Sequence, residues 1–317
     1  MANRHSQEAG ASPKTDWWER LDSGLDRITR TARRWRWVGY LITAAIFLLL
    51  LWVLWRDWQS LGHVDLRAMW SAIIGCFLIY PLSYVPQILA WTQLVGRRHS
   101  FWKDVEIYVY THLMRRLPGG VWHWAGRVVL YHEASGASSQ TTLRASLQEW
   151  VLLLVAAANS YGLAMLAGSS VTTGLLLIAT SLIAAGLLVA RTHGFLQGIA
   201  FLLGYSMAWW IGGLMIYWLA YSNPGSQLPL HSAVAVWTVA GGISTATFFM
   251  PAGLGVRELS LAFLLRPFMP VSSAVVIAIL MRLVFVIGDL TWGTPAWAAA
   301  RRLSSLHSRN TEETGSQ

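Results

Sequence analysis

Residues 250–258 read Met250-Pro251-Ala252-Gly253-Leu254-Gly255-Val256-Arg257-Glu258 and interrupt two apolar runs with a proline, two glycines and two charges. In the hydrocarbon core of a membrane, an unpaired backbone group is costly. Irregular chain is therefore tolerated only where protein covers it or water reaches it. A break of this kind between membrane-type helices predicts a polar cavity.

A second break of the same kind lies upstream. It reads Leu117-Pro118-Gly119-Gly120, and Trp122-His123-Trp124-Ala125-Gly126-Arg127 follows it. Interrupted apolar segments at corresponding places of two halves are typical of the substrate site of a transporter.

The composition is that of a polytopic membrane protein. Of 317 residues, 55% are hydrophobic and 12% are charged, and the mean hydropathy is +0.44, whereas soluble domains carry about 25% charged residues. The net charge of +9 is spread in short clusters between apolar runs, which is typical of cytoplasmic loops and not of a nucleic-acid-binding stripe. The single Cys76 excludes a disulfide within the chain, and we expect it to be a small buried hydrophobe.

The first 36 residues have a different pattern from the rest. Residues 1–15 are polar and predict disorder. From Asp16 to Arg36, apolar residues recur every three or four positions and arginines crowd the second half, which predicts an amphipathic basic helix. Such a helix either lies on the cytoplasmic membrane surface or acts as a solvated linker that fixes the topology.

Apolar runs predict the membrane spans. The clearest runs are 37–55, 68–95, 141–167, 172–190, 195–221 and 272–300, and Pro81 and Pro86 interrupt the second of them. Four shorter segments surround the two breaks and predict two re-entrant hairpins, with arms at 101–114, from 122 onward, 233–249 and 259–268.

The order of the segments repeats. Offsets of 127 (Ala68 to Phe195), 133 (Pro118 to Pro251) and 130 (Thr141 to Val271) indicate an internal duplication with units at about 68–167 and 195–300. Because the extra span 172–190 lies between the two units, the second unit would enter the membrane from the opposite side. We therefore predict an all-α integral membrane protein, with about seven transmembrane helices plus two opposed re-entrant hairpins in an inverted repeat. The membrane domain covers 37–300, and 301–317 is a cytoplasmic tail.

Charge clusters set the predicted orientation. With the N-terminus in the cytoplasm, Arg97-Arg98, Arg191 and Arg301-Arg302 all fall on the cytoplasmic side, whereas the uncharged loops 168–171 and 222–230 fall outside. We expect a multi-pass protein of a bacterial-type inner membrane with both termini cytoplasmic.

Five arginines lie in or beside apolar segments, where each costs about 2.5–3.5 kcal/mol at the membrane centre: Arg115, Arg116, Arg127, Arg257 and Arg282. The guanidinium group suits phosphate, and a helix that starts after a break presents free N–H groups. This pattern predicts a site for a phosphate-bearing lipid head, with counter-charges on Glu149, Glu258 and Asp289. Arg282 and Asp289 are seven apart on one predicted helix and share a face.

Several of these residues also have a structural interpretation. Arg115 and Arg116 can extend to the cytoplasmic interface, and Glu149 can complement a helix dipole or form an ion pair. His112 and His123 can shuttle protons or simply pack. The pairs Gly212-Gly213 and Gly241-Gly242 indicate close helix packing.

The sequence contains no nucleotide-binding loop, no metal-ligand spacing and no nucleophile elbow. We therefore expect no metal, no cofactor and no catalytic residues. Asp57 and Asp65 are the one acidic pair that suits a membrane glycosyltransferase.

The two breaks, Ser146 to Glu149 and Met281-Arg282 together resemble the membrane region of the lysylphosphatidylglycerol synthetase/flippase family, over about residues 40–300. The resemblance implies a lipid-translocating fold whose polar core includes Arg127, Glu149, Arg257, Glu258 and Arg282. Ala252 departs from the glycine usual in the family. No aminoacyltransferase domain follows Ala300, so lipid aminoacylation is not implied.

The sequence thus predicts a lipid translocator for an anionic or phosphate-linked lipid, such as a polyprenyl-phosphate-linked sugar or a modified phospholipid. A membrane-embedded glycosyl- or acyl-transferase and a non-catalytic scaffold of envelope assembly are the alternatives. Membrane lipids are the expected partners and nucleic acid is not. A lipid-modifying enzyme or glycosyltransferase and further copies of the chain are additional candidate partners.

Overall fold

The computed structural model describes residues 66–96, 100–114, 122–135, 137–168, 170–223, 225–247 and 255–315, with 41, 44, 45, 48, 52, 55 and 56. The predicted N-terminal helix lies outside these residues, as does most of the predicted first span. The few described residues of that span are helical. Every regular element in the described ranges is a helix.

The longer elements are eleven α-helices in the described part of the chain. In order they are α1 (Leu66–Ile79), α2 (Tyr84–Leu94), α3 (Phe101–Met114), α4 (Trp122–Ser135), α5 (Ser139–Gly168), α6 (Val171–His193), α7 (Phe195–Tyr221), α8 (Leu230–Ala246), α9 (Val256–Leu265), α10 (Val271–Gly288) and α11 (Thr294–Gly315). A 3₁₀ turn, Tyr80–Ser83, joins α1 to α2, and a π-helical turn, Asp289–Gly293, joins α10 to α11.

Five stretches of described helix are long and apolar enough to cross a membrane: Arg67–Leu94, Ser139–Gly168, Val171–His193, Phe195–Tyr221 and Val271–Leu306. They coincide with predicted spans. Large apolar side chains cover much of the outer surface, as at Leu187 (65% exposed) and Leu196 (80%), whereas Glu149 (5%) and Asp289 (1%) are buried. Apolar residues outside and charges inside are the arrangement of a protein embedded in lipid.

Short helices flank both predicted breaks. Helices α3 and α4 have 14 residues each, and α8 and α9 have 17 and 10. At about 1.5 Å per residue, none reaches the roughly 30 Å of a hydrocarbon core. Within each pair the two helices pack against each other. The breaks at 115–121 and 248–254 lie outside the described residues.

The prediction that two prolines interrupt the 68–95 span is wrong for one of them. Pro81 lies in the 3₁₀ turn and does interrupt the helix. Pro86 is the third residue of α2. In the first turn of a helix the backbone N–H has no partner within the helix, so the N–H that proline lacks is not needed there.

The last helix continues beyond Arg301-Arg302, where the sequence predicted its end, and runs to Gly315. Its continuation packs on α3. The Trp297 ring lies 5.8 Å from that of Tyr110, and the Ser304 hydroxyl donates to Glu106 Oε2 at 3.0 Å. The arginines mark where the chain leaves the apolar region, and contact with α3 allows the helix to continue.

Glycines allow α7 and α8 to approach closely, as predicted. A Cβ atom added at Gly212 would lie 2.1 Å from Trp237 of α8, and one at Gly241 would lie 2.3 Å from Trp209 of α7. Each helix thus accommodates a tryptophan of the other. Gly242 differs, since its added Cβ would meet only Ala157, at 3.8 Å.

We predict that Gly241→Ala lowers the free energy of unfolding by about 1–3 kcal/mol, because the methyl group overlaps the Trp209 ring and overpacks the core. Gly242→Ala is the matched control. Its methyl group has room and alanine favours the helix, so this variant should melt at or above the wild-type temperature. Thermal melting in detergent measures both. Equal melting temperatures for the two variants would contradict the close packing.

Candidate functional site

The first half of the chain holds a buried ion pair. Arg127 of α4 forms a salt bridge through Nη1 with Oε2 of Glu149 on α5, and the two residues are 2% and 5% exposed. Arg127 Nε donates to the Thr111 hydroxyl at 3.2 Å, and the Tyr205 hydroxyl donates to Glu149 Oε1 at 3.5 Å. Of the interpretations open for Glu149, the structure supports the ion pair.

Aromatic rings cover the same guanidinium group. Its central carbon lies 3.8 Å from the ring centroid of Trp91 and 4.8 Å from that of Tyr108. Both distances are in the range of cation–π attraction, which is stronger where water is excluded. Arg127 is thus enclosed by a carboxylate, a hydroxyl and two rings.

The second half holds a corresponding pair. Glu258 of α9 lies 3.6 Å from Arg282 of α10, measured from Oε1 to Nη1. Its other oxygen, Oε2, accepts the backbone N–H of Gly255 at 2.9 Å. Gly255 precedes the helix with φ of +86°, a left-handed conformation that favours glycine. The end of the predicted break is thus fixed by the carboxylate that follows it.

The two pairs have opposite polarity. Glu149 and Arg282 are 133 residues apart, which is also the separation of Pro118 and Pro251 in the two breaks, and Arg127 and Glu258 are 131 apart. In the first half the short helix carries the arginine and the long helix the glutamate; in the second half the order is reversed. Each half thus ties its short helix to the following long helix by one charge pair.

Arg257 lies against aromatic rings on the second half. Its guanidinium carbon is 5.2 Å from the Trp237 ring centroid and 6.0 Å from that of Phe285, and these rings stack on each other at 5.3 Å. The Arg257 residue is half-buried, so it is more accessible than Arg127.

Asp289 is buried where two helix irregularities meet. It opens the π-helical turn, and the hydroxyls of Tyr80 and Tyr84, at the 3₁₀ turn, both donate to its Oδ1. These two hydroxyls are 2.8 Å apart. Arg282, predicted to share a face with Asp289, lies within salt-bridge distance of Glu258, whereas Asp289 accepts hydrogen bonds from the two tyrosines.

Ring contacts connect the charged groups of the two halves. Successive separations are between 4.8 and 6.0 Å along the series Arg127, Tyr108, His112, Tyr84, Tyr80, Phe285, Trp237 and Arg257. We call this series the aromatic bridge. The arginines after the two breaks are therefore the ends of one continuous interior network, with Asp289 attached at its middle.

The partners of the predicted charges were not predicted. Trp91, Tyr108, Thr111 and Tyr205 contact Arg127 or Glu149, and no spacing in the sequence relates them. For Tyr80 and Tyr84 the sequence contained one signal of a polar contact, the neighbouring Pro81. A break within a membrane span exposes polar backbone groups that need partners.

The remaining predicted residues are placed as follows. His123 is half-buried in α4 with its ring 5.4 Å from that of Trp124, and the His112 ring packs against Tyr84 at 4.8 Å. The following candidates lie outside the described residues: Arg115, Arg116, Pro118, Gly119, Gly120, Pro251, Gly253, Asp57 and Asp65. Cys76 is buried, and its thiol donates to the Met215 carbonyl at 3.4 Å.

Within the described ranges no group of three or more His, Cys, Asp or Glu side chains is arranged to hold a metal ion. No protein-family model matches the chain, and no curated protein matches it.

We predict that Arg127→Met destabilises the protein by about 3–5 kcal/mol, because it leaves the Glu149 carboxylate buried without its cation. The double variant Arg127→Met/Glu149→Met should recover most of that loss, since an apolar pair replaces the ion pair.

The control is Lys103→Met. It removes a 2.9 Å salt bridge to Glu106 in which Lys103 is 35% exposed, so we expect a cost of at most about 1 kcal/mol. Thermal melting of the purified variants in detergent compares them. A double variant no more stable than Arg127→Met would show that the two charges do not depend on each other.

Proposed function

We propose that this protein is a lipid translocator that moves an anionic or phosphate-linked lipid across the cell membrane. The observation that carries the proposal is the aromatic bridge, which joins Arg127 to Arg257 inside a lipid-facing bundle. Charged groups within a membrane protein are costly and mark a pathway for a polar substrate. Three cations and three carboxylates are gathered along this network: Arg127, Arg257, Arg282, Glu149, Glu258 and Asp289.

The two halves have separate roles in this proposal. Arg127 is enclosed by Glu149 and Trp91, so it holds α4 to α5 in the resting state. Arg257 is half-buried and the side chain of Arg282 is 14% exposed, so these two make the first contact with a lipid phosphate. Guanidinium groups suit this task because their planar donors match two phosphate oxygens.

The carboxylates balance the cations when no lipid is bound. An arriving phosphate competes with Glu258 for Arg282, since both are oxygen acceptors for the same Nη1 donor. Trp237 and Phe285 present ring faces beside Arg257, and such faces suit the apolar part of a lipid or the flat side of a sugar.

The proposal includes the topology. The short pairs α3–α4 and α8–α9 form re-entrant hairpins that enter from opposite sides, in an inverted repeat with both termini cytoplasmic. Supporting it are the lengths of these helices, the two ion pairs and the basic clusters. We also propose that the chain is related to the lysylphosphatidylglycerol synthetase/flippase family, because the two breaks, Ser146 to Glu149 and Met281-Arg282 resemble that family's membrane region.

We predict that Arg257→Ala reduces lipid flipping by about 10- to 100-fold, the loss expected when a charge-assisted hydrogen bond worth about 1.5–3 kcal/mol is removed. The assay follows a headgroup-labelled anionic phospholipid in vesicles that contain the purified protein. Arg257→Lys should be intermediate, because lysine keeps the charge but not the planar donors.

Arg266→Ala is the matched control. Arg266 lies one residue beyond α9, is exposed and stacks on Phe263, so its loss should leave flipping unchanged. Wild-type rates in a folded Arg257→Ala protein would remove Arg257 from the substrate path.

We also predict the sidedness of two exposed positions. Arg191→Cys, near the end of α6, should react with an impermeant maleimide only from the cytoplasmic side, and Tyr221→Cys, at the end of α7, only from outside. The native Cys76 is buried, so it should add little background. Labelling of residue 191 from outside would overturn the topology.

A further inference from the structure

Asp104 is a buried carboxyl group that the proposed lipid path does not use. It lies in the first turn of α3 and is 1% exposed. Its Oδ1 accepts a hydrogen bond from the Tyr131 hydroxyl at 3.0 Å, whereas its Oδ2 is buried and makes no hydrogen bond to any residue that the structure describes. A buried carboxylate oxygen normally has a partner, and this one has room for a proton.

The surroundings of Asp104 offer its charge little compensation. From α4 it faces Tyr131, and from α2 the Trp91 indole donates to the same hydroxyl at 3.0 Å. Its charged neighbours on α3, Lys103 and Glu106, pair with each other at 2.9 Å.

The third helix packed on α3 is α11, and two of its described polar side chains contact residues other than Asp104. Its Ser304 donates to Glu106, and its Arg301 stacks on Trp297. No cation in the described ranges lies within salt-bridge distance of Asp104. Burial therefore raises the pKa of the Asp104 carboxyl to about 6, and the hydrogen bond from Tyr131 opposes this increase.

A short series of contacts connects Asp104 to the first ion pair. Tyr131 donates to Asp104 and accepts from Trp91, and the guanidinium of Arg127 lies 3.8 Å from the centroid of the Trp91 ring. Arg127 in turn binds Glu149. In a low-dielectric interior a charge on Asp104 acts on Arg127 with little screening.

A cleft lies beside this region. It is formed by α3, α4 and α11 with a volume of about 590 Å³, and its walls include Lys103 and Ile107 of α3 and Leu130 and Ala134 of α4. The charged groups Glu133 and Arg301 also line it. Asp104 and Tyr131 do not line the cleft themselves, but the cleft brings water to the helices that carry them.

We propose that Asp104 is a proton-binding site that controls the Arg127–Glu149 pair. The proton binds at Oδ2, which leaves the Tyr131 hydrogen bond to Oδ1 intact, and leaves as H⁺ to water in the cleft. With Asp104 neutral, Glu149 alone holds Arg127. With Asp104 ionised, a second carboxylate attracts Arg127 through the Trp91 side, so α4 is held less firmly to α5. The inference that this coupling drives lipid movement rests on the proposed function.

The first experiment measures proton binding without transport. Because the pKa of the Asp104 carboxyl is raised in the folded protein from its ordinary value of 3.8 to about 6, the protonated form stabilises the fold. This stabilisation is complete below pH 3.8 and is lost as the pH rises through about 6. We expect the melting temperature of the wild-type protein in detergent to decrease by a few degrees between about pH 4.5 and about pH 7.5.

Two variants and a control isolate Asp104 in this measurement. Asp104→Asn imitates the protonated form, so its melting temperature should lack the part of the decrease with pH that Asp104 causes. Tyr131→Phe removes the hydrogen bond that lowers the pKa of Asp104, so the decrease in melting temperature should move to higher pH. This variant also tests the proposal if Asp104→Asn does not fold. Glu106→Gln changes a neighbouring carboxylate on α3 and should keep the wild-type profile. If the melting temperatures of both Asp104→Asn and Tyr131→Phe depend on pH as that of the wild type does, the proposal is overturned.

The second experiment measures coupling in vesicles. An imposed pH gradient should change the initial rate of lipid flipping several-fold in wild-type protein and not in Asp104→Asn. Equal responses of the two proteins would overturn the coupling. If wild-type protein moves no lipid at any pH, the proposed function fails, and the melting profiles still decide whether Asp104 binds the proton.

Discussion

The structure depends on the pairing of charges inside a bundle whose outer surface is apolar. An isolated buried charge is far more costly than a paired one, so each arginine and carboxylate in the interior requires a partner from another helix. Arg127 with Glu149 and Glu258 with Arg282 meet this requirement. The result is that the position of each short helix is fixed by a contact that cannot be lost without leaving a buried charge.

The opposite polarity of the two pairs has a physical consequence. Each pair links a short helix to the long helix that follows it, but the order of the charges differs, so the two links have different electrostatics. In the first half the cation is enclosed by Trp91 and Tyr108, whereas in the second half the cation that pairs lies on the long helix α10 and Arg257 remains half-buried beside Trp237. The two halves therefore differ in how their arginines are covered, since Arg127 is buried and Arg257 is half-buried.

Irregular helix turns allow polar groups to enter the bundle. The 3₁₀ turn at Tyr80–Ser83 and the π-helical turn at Asp289–Gly293 lie against each other, and the Asp289 carboxylate binds the hydroxyls of Tyr80 and Tyr84 between them. A regular helix satisfies its own backbone and needs no such contact, so irregularities of this kind often mark function. The aromatic bridge passes through this place, and Asp104 reaches its far end by way of Tyr131 and Trp91.

The sequence alone determined the helical class, the bounds of the long spans, and the ends of α3 and α4 at the upstream break, because apolar length and Pro/Gly interruption are local properties. It also determined that Gly212 and Gly241 mark close packing. The prediction from sequence was wrong for Pro86, because a proline in the first turn of a helix does not interrupt it. It was also wrong for the end of the last helix, which continues in contact with α3. Only the tertiary structure brought Trp91 and Tyr108 to Arg127, and only it buried Asp104 with one oxygen that no described residue hydrogen-bonds. These contacts join different helices and follow no spacing that a sequence displays.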